Sequence, residues 1–281
     1  MRAAEPGTTP DAGLAEIQAR VRAGLVRVEE ALRDAVVTAD PFVQEAASYL
    51  VAAGGKRLRP TLLLLAGHTG DPGDPRLVGA SVAIELTHLS SLYHDDVMDE
   101  AEVRRGARSA NARYDNKVAV LTGDYLFARA SEVTAGLGAE ATRVLARAIA
   151  RLVQGQIREV RGPAPGEDPV AHYLAVLADK TGALIAAACR LGGRLAGAPA
   201  DVVEALTEYG ERVGRAFQLG DDLLDITAET AVARRPPTSA GRTRSPSSPA
   251  TTCSPAPPTS PRISARRRPA YSPAPPISIA A

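Results

Sequence analysis

The sequence predicts an all-α protein built as a bundle of long helices, and three observations carry that prediction. Apolar residues recur with helical spacing from about position 13 to 228, with start and stop signals between the runs. Aromatics are scarce, with no Trp and three Phe, so Leu, Val, Ile and Ala must fill the core, which favours close helix packing over aromatic-rich sheet. No run with strand alternation competes.

The elements follow in order. Residues 14–37 read as a first helix. Asp40-Pro41 is an N-cap followed by proline at the first helical position, and Gly54-Gly55 closes that helix. Pro60 opens TLLLLAGHTG, and GDPGDP at 70–75 is a turn-rich loop. Further helices are expected over 76–98, 111–136, 139–161, 169–179, 181–197 and 199–227. The stretches near 84–92 and 183–191 are apolar on most faces and should be central.

Charge and proline divide the chain. Residues 229–281 hold eight Arg, no Lys and one acid, so they carry +7, leaving −6 on residues 1–228 within a total of +1. Twelve of the 22 prolines also fall there. We expect a flexible start at 1–12, a folded domain at 13–228 and a disordered Pro/Arg/Ser-rich tail at 229–281. Out-of-frame GC-rich codons yield Pro, Arg, Ser, Ala and Thr, so the tail reads as a frameshift product. A basic arm for nucleic acid or acidic lipid is the alternative. The two cysteines, Cys189 and Cys253, share no short motif and suggest neither a disulfide framework nor a metal knuckle. With no apolar core in the first residues and no membrane-length apolar run, a cytoplasmic location is expected.

The chemistry lies in HDDVMDEAEVRRG at 94–106 and FQLGDDLLD at 217–225. Asp95 and Asp99 are four apart, one helical turn above the other, and like charges so placed need a cation between them. Hard oxygen donors suit Mg²⁺, which bridges carboxylates to phosphates. One such cluster alone is as well explained by a solvated acidic face. Asp221, Asp222 and Asp225 repeat the spacing between apolar neighbours, and burying unpaired carboxylates is costly. Two such helices facing each other would hold several metal ions around a polyanion such as a diphosphate. GGKRLRP adds Lys56, Arg57 and Arg59 at a glycine-loosened junction, and Arg104 and Arg105 follow the first acid cluster. Arginine grips phosphate oxygens as a bidentate fork, so these groups could hold a second diphosphate without metal. Each basic run alone also reads as a surface charge run. His94 is taken as a hydrogen bonder, Asp96 and Asp222 as supporting groups, His68 and His172 as structural or exposed, and Cys189 as core.

GGKRLRP, HLSSLYHDDVMDEAEVRRG, LTGDYLFARA, KTG at 180–182 and FQLGDDLLD, in this order, resemble the trans-isoprenyl diphosphate synthases, or polyprenyl synthetase family, over roughly residues 41–227. The wording SLYHDDVMDEAEVRRG is most similar to bacterial long-chain synthases that make quinone side chains. The resemblance implies an all-α bundle around a deep central cavity, usually a homodimer though sometimes heteromeric. It implies Mg²⁺-dependent condensation of isopentenyl diphosphate with an allylic prenyl diphosphate. Asp95 and Asp99 then match the first metal motif, and Asp221 and Asp225 the second. Lys56, Arg59, His88 and Arg105 match the isopentenyl diphosphate site. Arg104, Lys180, Thr181 and Gln218 match contacts to the allylic diphosphate. Asp95, Asp99, Arg104, Lys180 and Asp221 would carry the catalysis.

Below Asp95 the helix face runs Ser91, Thr87, Ala83, with Ser90 beside them, so nothing large stands there for roughly 18 Å at about 1.5 Å per residue. In this family, bulk four or five positions before the first aspartate goes with short products. Geranylgeranyl or longer is therefore expected, with peripheral membrane contact through the product. After Asp225 the pattern departs from the family, which continues with a lysine-bearing loop and further helices. Without these, exposed apolar faces predict low solubility or dependence on a partner. The competing functions are a truncated non-catalytic subunit or inactive fragment, a class I terpene cyclase, which carries an Asn/Ser/Glu triad in place of the second aspartate motif, and a tail-driven nucleic-acid binder, which is not expected.

Overall fold

The computed structural model describes the backbone of residues 10–233 and, within it, the side chains of 13–224 and of Thr227. Most of the tail expected to be disordered therefore lies outside the described residues. The helices are α1 (Pro10–Ala35), α2 (Pro41–Ala52), α3 (Leu58–Gly67), α4 (Arg76–Met98), α5 (Ala110–Tyr114), α6 (Asn116–Ala135), α7 (Ala139–Arg161), α8 (Pro169–Leu177), α9 (Ala183–Leu195) and α10 (Ala200–Ala233). A π-helical segment, Ala178–Gly182, joins α8 to α9, and a two-stranded hairpin, β1 (Val103–Arg104) with β2 (Ala107–Arg108), follows α4.

The cap at Asp40 acts as the sequence predicts, and Asp168 supplies a second of the same kind. Asp40 accepts from the amides of Phe42 at 2.9 Å and Val43 at 3.2 Å, and Asp168 accepts from that of Val170 at 3.1 Å, each ahead of a proline that has no amide to satisfy. The α3 helix begins at Leu58 rather than at Pro60, which sits within the first turn, where a missing amide costs no intrahelical bond. The helix predicted over 111–136 is two helices. Asp115 turns the backbone to φ +86° and its carboxylate caps the second helix by accepting from Val118 at 3.0 Å. The break predicted near position 180 is instead a continuous helix that widens through the π segment.

Both stretches expected to be central are central. In α4, Ala80, Val82, Ala83, Ile84, Leu86 and Leu89 are buried, and nearly every residue of α9 is buried. The α4 helix packs against α1, α3, α6 and α9, while α9 lies among α3, α7 and α10. The hairpin is a further local structure that the periodicity does not reveal. Its two turn residues, Arg105 at φ +54° and Gly106 at φ +78°, both take the left-handed conformation that a two-residue type I′ turn demands.

Candidate active site

A cavity of about 630 Å³ opens where the α2–α3 junction, α4, the hairpin, the π segment and α10 meet. Its walls are Ala53, Gly55, Lys56, Leu58 and Arg59 from the junction, Glu85, His88 and Leu92 from α4, Arg104 and Arg105 from the hairpin, Thr181 from the π segment, and Phe217, Gln218 and Asp221 from α10. Eight residues singled out from sequence thus line one space, drawn from segments far apart in the chain.

Local structure explains why each side chain reaches the cavity. Glu85, His88, Leu92 and Asp95 form one stripe of α4 at helical spacing, and Asp99 caps the C-terminal end of the helix. The I′ turn sets Arg104 and Arg105 back across the end of that helix. Gly55 lets the Arg105 guanidinium lie flat on the junction, since a Cβ at this position would sit 3.0 Å from it. Lys56 rests over the Phe217 ring, 5.5 Å from its centroid, a cation–π contact linking the junction to α10. Arg104 donates through Nε to Asp96 at 2.6 Å, and Asp96 is fully buried at the foot of the first acid cluster.

The electrostatics are strongly one-sided. Burial holds the His88 imidazole well below its usual pKa, and the cations Arg59, Arg105, Arg57 and Arg104 push it in the same direction. His88 is therefore neutral and offers one N–H donor. Burial also lowers Arg59 and Arg105, each opposed by the attraction of Glu85. Arg59 Nε is buried with no hydrogen-bond partner among the described residues, a donor left over for a ligand.

Asp95, Asp99 and Lys180 stand outside the cavity wall. Burial raises the Asp95 carboxyl to about 6; Lys180 and Arg104 oppose the rise, while Asp99 and Glu159 add to it. Those neighbours place Asp95 beside the cavity, because Arg104 lines it and Lys180 adjoins Thr181. Lys180 donates to Glu159 of α7, Thr181 Oγ1 donates to Gln218 Oε1 at 3.1 Å, and Gly155 allows α7 this close, since a Cβ there would lie 2.5 Å from the Lys180 amide nitrogen. Ion pairs from Arg158 to Asp179 at 2.7 Å and from Arg151 to Glu211 at 2.6 Å tie the π segment and α10 to α7.

Asp221 faces the cavity, whereas Asp222 is engaged with Gln218 and Tyr173. The side chain of Asp225 lies outside the described ones. Among the described residues no three His, Cys, Asp or Glu side chains gather closely enough to hold a metal ion. The donor chemistry still fits Mg²⁺: Asp95 and Asp99 offer only oxygen, and their mutual repulsion is what a divalent cation relieves. Ser90, Ser91 and Thr87 are buried on α4 away from the cavity wall. The Ser90 hydroxyl donates to the Gly123 carbonyl at 2.7 Å, Ser91 to that of His88 at 2.8 Å and Thr87 to that of Ala83 at 2.8 Å.

One basic residue read from sequence as an anion contact serves otherwise. Arg57 is buried, with its guanidinium committed to Glu29 and, at 2.9 Å, to Glu85, so the GGKRLRP run presents two cations to the cavity instead of three. Sequence reasoning also passed over Glu85 and Phe217. The lone acid in the apolar run VAIELTHL was a usable signal for Glu85, because a carboxylate there must be paired. Phe217 opens the FQLGDDLLD motif, but the motif does not say that its ring meets Lys56. His94 turns to α6, with Nε2 3.2 Å from the Val120 carbonyl, and Cys189 is core, its thiol raised to about 11 by burial.

Comparison with known proteins agrees with this geometry. The family profile described as Polyprenyl synthetase matches residues 40–248. Nonaprenyl diphosphate synthase of Mycobacterium tuberculosis is 48% identical over 221 residues, covering 78% of this chain and 66% of that protein. Heptaprenyl diphosphate synthase component 2 of Geobacillus stearothermophilus is 44% identical over 204 residues, covering 72% of this chain and 64% of its own. A crystal structure of geranylgeranyl pyrophosphate synthase from Corynebacterium glutamicum, complexed with calcium and isoprenyl diphosphate, superposes with a TM-score of 0.69 at 42% identity, covering 80% of this chain and 68% of that one. The chain thus spans slightly under two thirds of the length of these two curated relatives. With the five ordered motifs, the helical fold built around α4 and α9 and the profile match all in agreement, the chain belongs to the polyprenyl synthetase family.

Proposed function

We propose that this chain is a Mg²⁺-dependent prenyltransferase that condenses isopentenyl diphosphate with an allylic diphosphate into a trans-polyprenyl diphosphate of geranylgeranyl length or longer. The observation that carries the proposal is the cavity, in which Lys56, Arg59, Arg104 and Arg105 surround a neutral His88 beside Gln218 and Asp221. Four cations in one space of about 630 Å³ are held together at a cost in mutual repulsion that a bound polyanion offsets.

Lys56, Arg59, Arg105 and the N–H of His88 are assigned to the isopentenyl diphosphate. Arg104, Lys180, Thr181 and Gln218 are assigned to the allylic diphosphate. Mg²⁺ held by Asp95 and Asp99 on one side and by Asp221 and Asp225 on the other would neutralise charge on the diphosphate oxygens. Breaking the allylic C–O bond concentrates negative charge on the departing diphosphate. Arg104 and Lys180 stabilise that charge more than they stabilise the intact substrate. The double bond of isopentenyl diphosphate, fixed alongside, attacks the cation, so positioning supplies much of the rate. The carbocation so formed becomes an alkene by losing a proton to the departed diphosphate, and no protein nucleophile is required.

Incubating the full chain with isopentenyl diphosphate, farnesyl diphosphate and Mg²⁺ should give a longer prenyl diphosphate, and chelation should abolish it. Absence of product with geranyl, farnesyl and geranylgeranyl primers alike would overturn the activity. The same assay reads product length, and Ser91→Phe should shorten it if the buried Ser90, Ser91 and Thr87 face borders the growing chain.

A second reading rests on two relatives named component 2 of heptaprenyl diphosphate synthase. It makes this chain one subunit of a heteromer, inactive alone. Both acid clusters favour the catalytic reading, with a homodimer in the cytoplasm as its expected state. Among the described residues no helix is long and apolar enough to cross a membrane.

A further inference from the structure

Four polar side chains from three elements form an unbroken line beside the cavity. Tyr173 of α8 donates its hydroxyl hydrogen to Asp222 Oδ2. Gln218 Nε2 donates to Asp222 Oδ1 at 2.9 Å, and Thr181 Oγ1 donates to Gln218 Oε1 at 3.1 Å. Since α8 runs without interruption into the π segment that carries Thr181, the line closes a ring. One stretch of chain, from Tyr173 to Thr181, is clamped onto α10 at both ends.

The clamp has chemical consequences. Each oxygen of Asp222 accepts one hydrogen bond, and of the two adjacent acids it is Asp221 that faces the cavity. The Gln218 amide is oriented by two partners that demand opposite polarity, an acceptor at Nε2 and a donor at Oε1. Its second N–H remains uncommitted among the described residues, and Gln218 lines the cavity. The Tyr173 hydroxyl, raised to about 12 first by its bond to Asp222, stays a donor at any working pH. The ring of Tyr173 is 38% exposed, so the hydroxyl's engagement is not a by-product of core packing.

We propose that Tyr173 is a positioning residue for the allylic diphosphate: acting through Asp222, it fixes the Gln218 amide, whose carbonyl oxygen also takes the Thr181 hydroxyl hydrogen, so that its uncommitted N–H is held available to the anion. This rests on the prenyltransferase reading of the cavity. Removing the hydroxyl frees Asp222 to rotate and lets the Gln218 amide turn over, placing a carbonyl oxygen where a donor is needed. The isopentenyl side, built on Lys56, Arg59, His88 and Arg105, is not part of the ring and should not respond.

The test is calorimetric titration of the full chain, in Mg²⁺, with the S-thiolo analogue of farnesyl diphosphate, whose C–S bond does not ionise, and separately with isopentenyl diphosphate. Tyr173→Phe should weaken the farnesyl analogue about tenfold, the loss of one bond to a charged group. It should leave isopentenyl diphosphate within about twofold and the thermal midpoint unchanged. Gln218→Ala should show the same selective loss, and the double variant should be no weaker than Gln218→Ala alone, because the two act in series. Wild-type affinity in Tyr173→Phe, equal weakening of both ligands, or additive losses would each overturn the role. Failure of the unaltered protein to bind either ligand would instead overturn the prenyl-diphosphate reading, and the role with it.

Discussion

At the scale of single residues the cavity depends on which cations are free and which are spent. Lys56, Arg59, Arg104 and Arg105 line it, and burial, aided by the fields of Arg59, Arg105, Arg57 and Arg104, keeps His88 neutral. The sign of its effect on stability follows. Unfolded, His88 protonates near its ordinary value of about 6.5, while folded it does so only at much lower pH. The unfolded chain therefore binds the extra proton, and stability present above about 6.5 is lost as the pH falls below it. Denaturant titrations should show His88→Gln losing less stability than the unaltered protein between pH 7 and 5.5. The slopes should differ by up to about 1.4 kcal/mol per pH unit, the limit for one proton. Parallel slopes would mean that His88 titrates normally and that the cations do not crowd it.

Between elements, the position of the cavity's rear wall is set by Arg57. Its guanidinium reaches Glu29 of α1, Glu85 of α4 and, at 3.2 Å, the Val51 carbonyl of α2, so one side chain holds three helices at the start of α3. Glu85 is 2% exposed and pairs with Arg57 at 2.9 Å. Arg57→Met should therefore cost about 3–5 kcal/mol, the penalty for stranding a buried charge, measured as a lower urea midpoint. Replacing Glu85 by Leu in the same chain should recover much of the loss, as apolar substitutes for whole buried pairs often do. A single-variant loss below about 1 kcal/mol would show that the pair is not holding the junction. The same scale explains a misreading. GGKRLRP presents three cations within four positions, and only the neighbouring helices reveal that Arg57 points inward while Lys56 and Arg59 face the cavity.

For the molecule as a whole, the acid clusters belong to elements more than a hundred residues apart, Asp95 on α4 and Asp221 on α10. Among the described residues neither forms a finished metal nest, so the phosphate oxygens of a ligand would have to complete the coordination. Mg²⁺ alone should therefore stabilise the fold little, as should inorganic diphosphate alone. Together, at about a hundred times their dissociation constant, they should add about 2.7 kcal/mol, or a thermal shift of several degrees. An equal shift from metal alone would contradict a site completed by its ligand.

The sequence by itself determined most of the helices, the cap at Asp40, the central places of α4 and α9, and the residue types that suit a diphosphate and a hard cation. Those properties are local: periodicity, proline and glycine chemistry, and the spacing of charges along a helix are legible without knowing what lies opposite. Tertiary structure alone decided that Arg57 is a brace rather than a ligand contact, that Phe217 lies under Lys56, that Arg105 and Gly106 turn a hairpin, and that Tyr173 reaches Asp222 across forty-nine positions. Each of these depends on a partner distant in the chain or on a backbone conformation that the neighbouring elements stabilise, and a one-dimensional pattern carries no record of either.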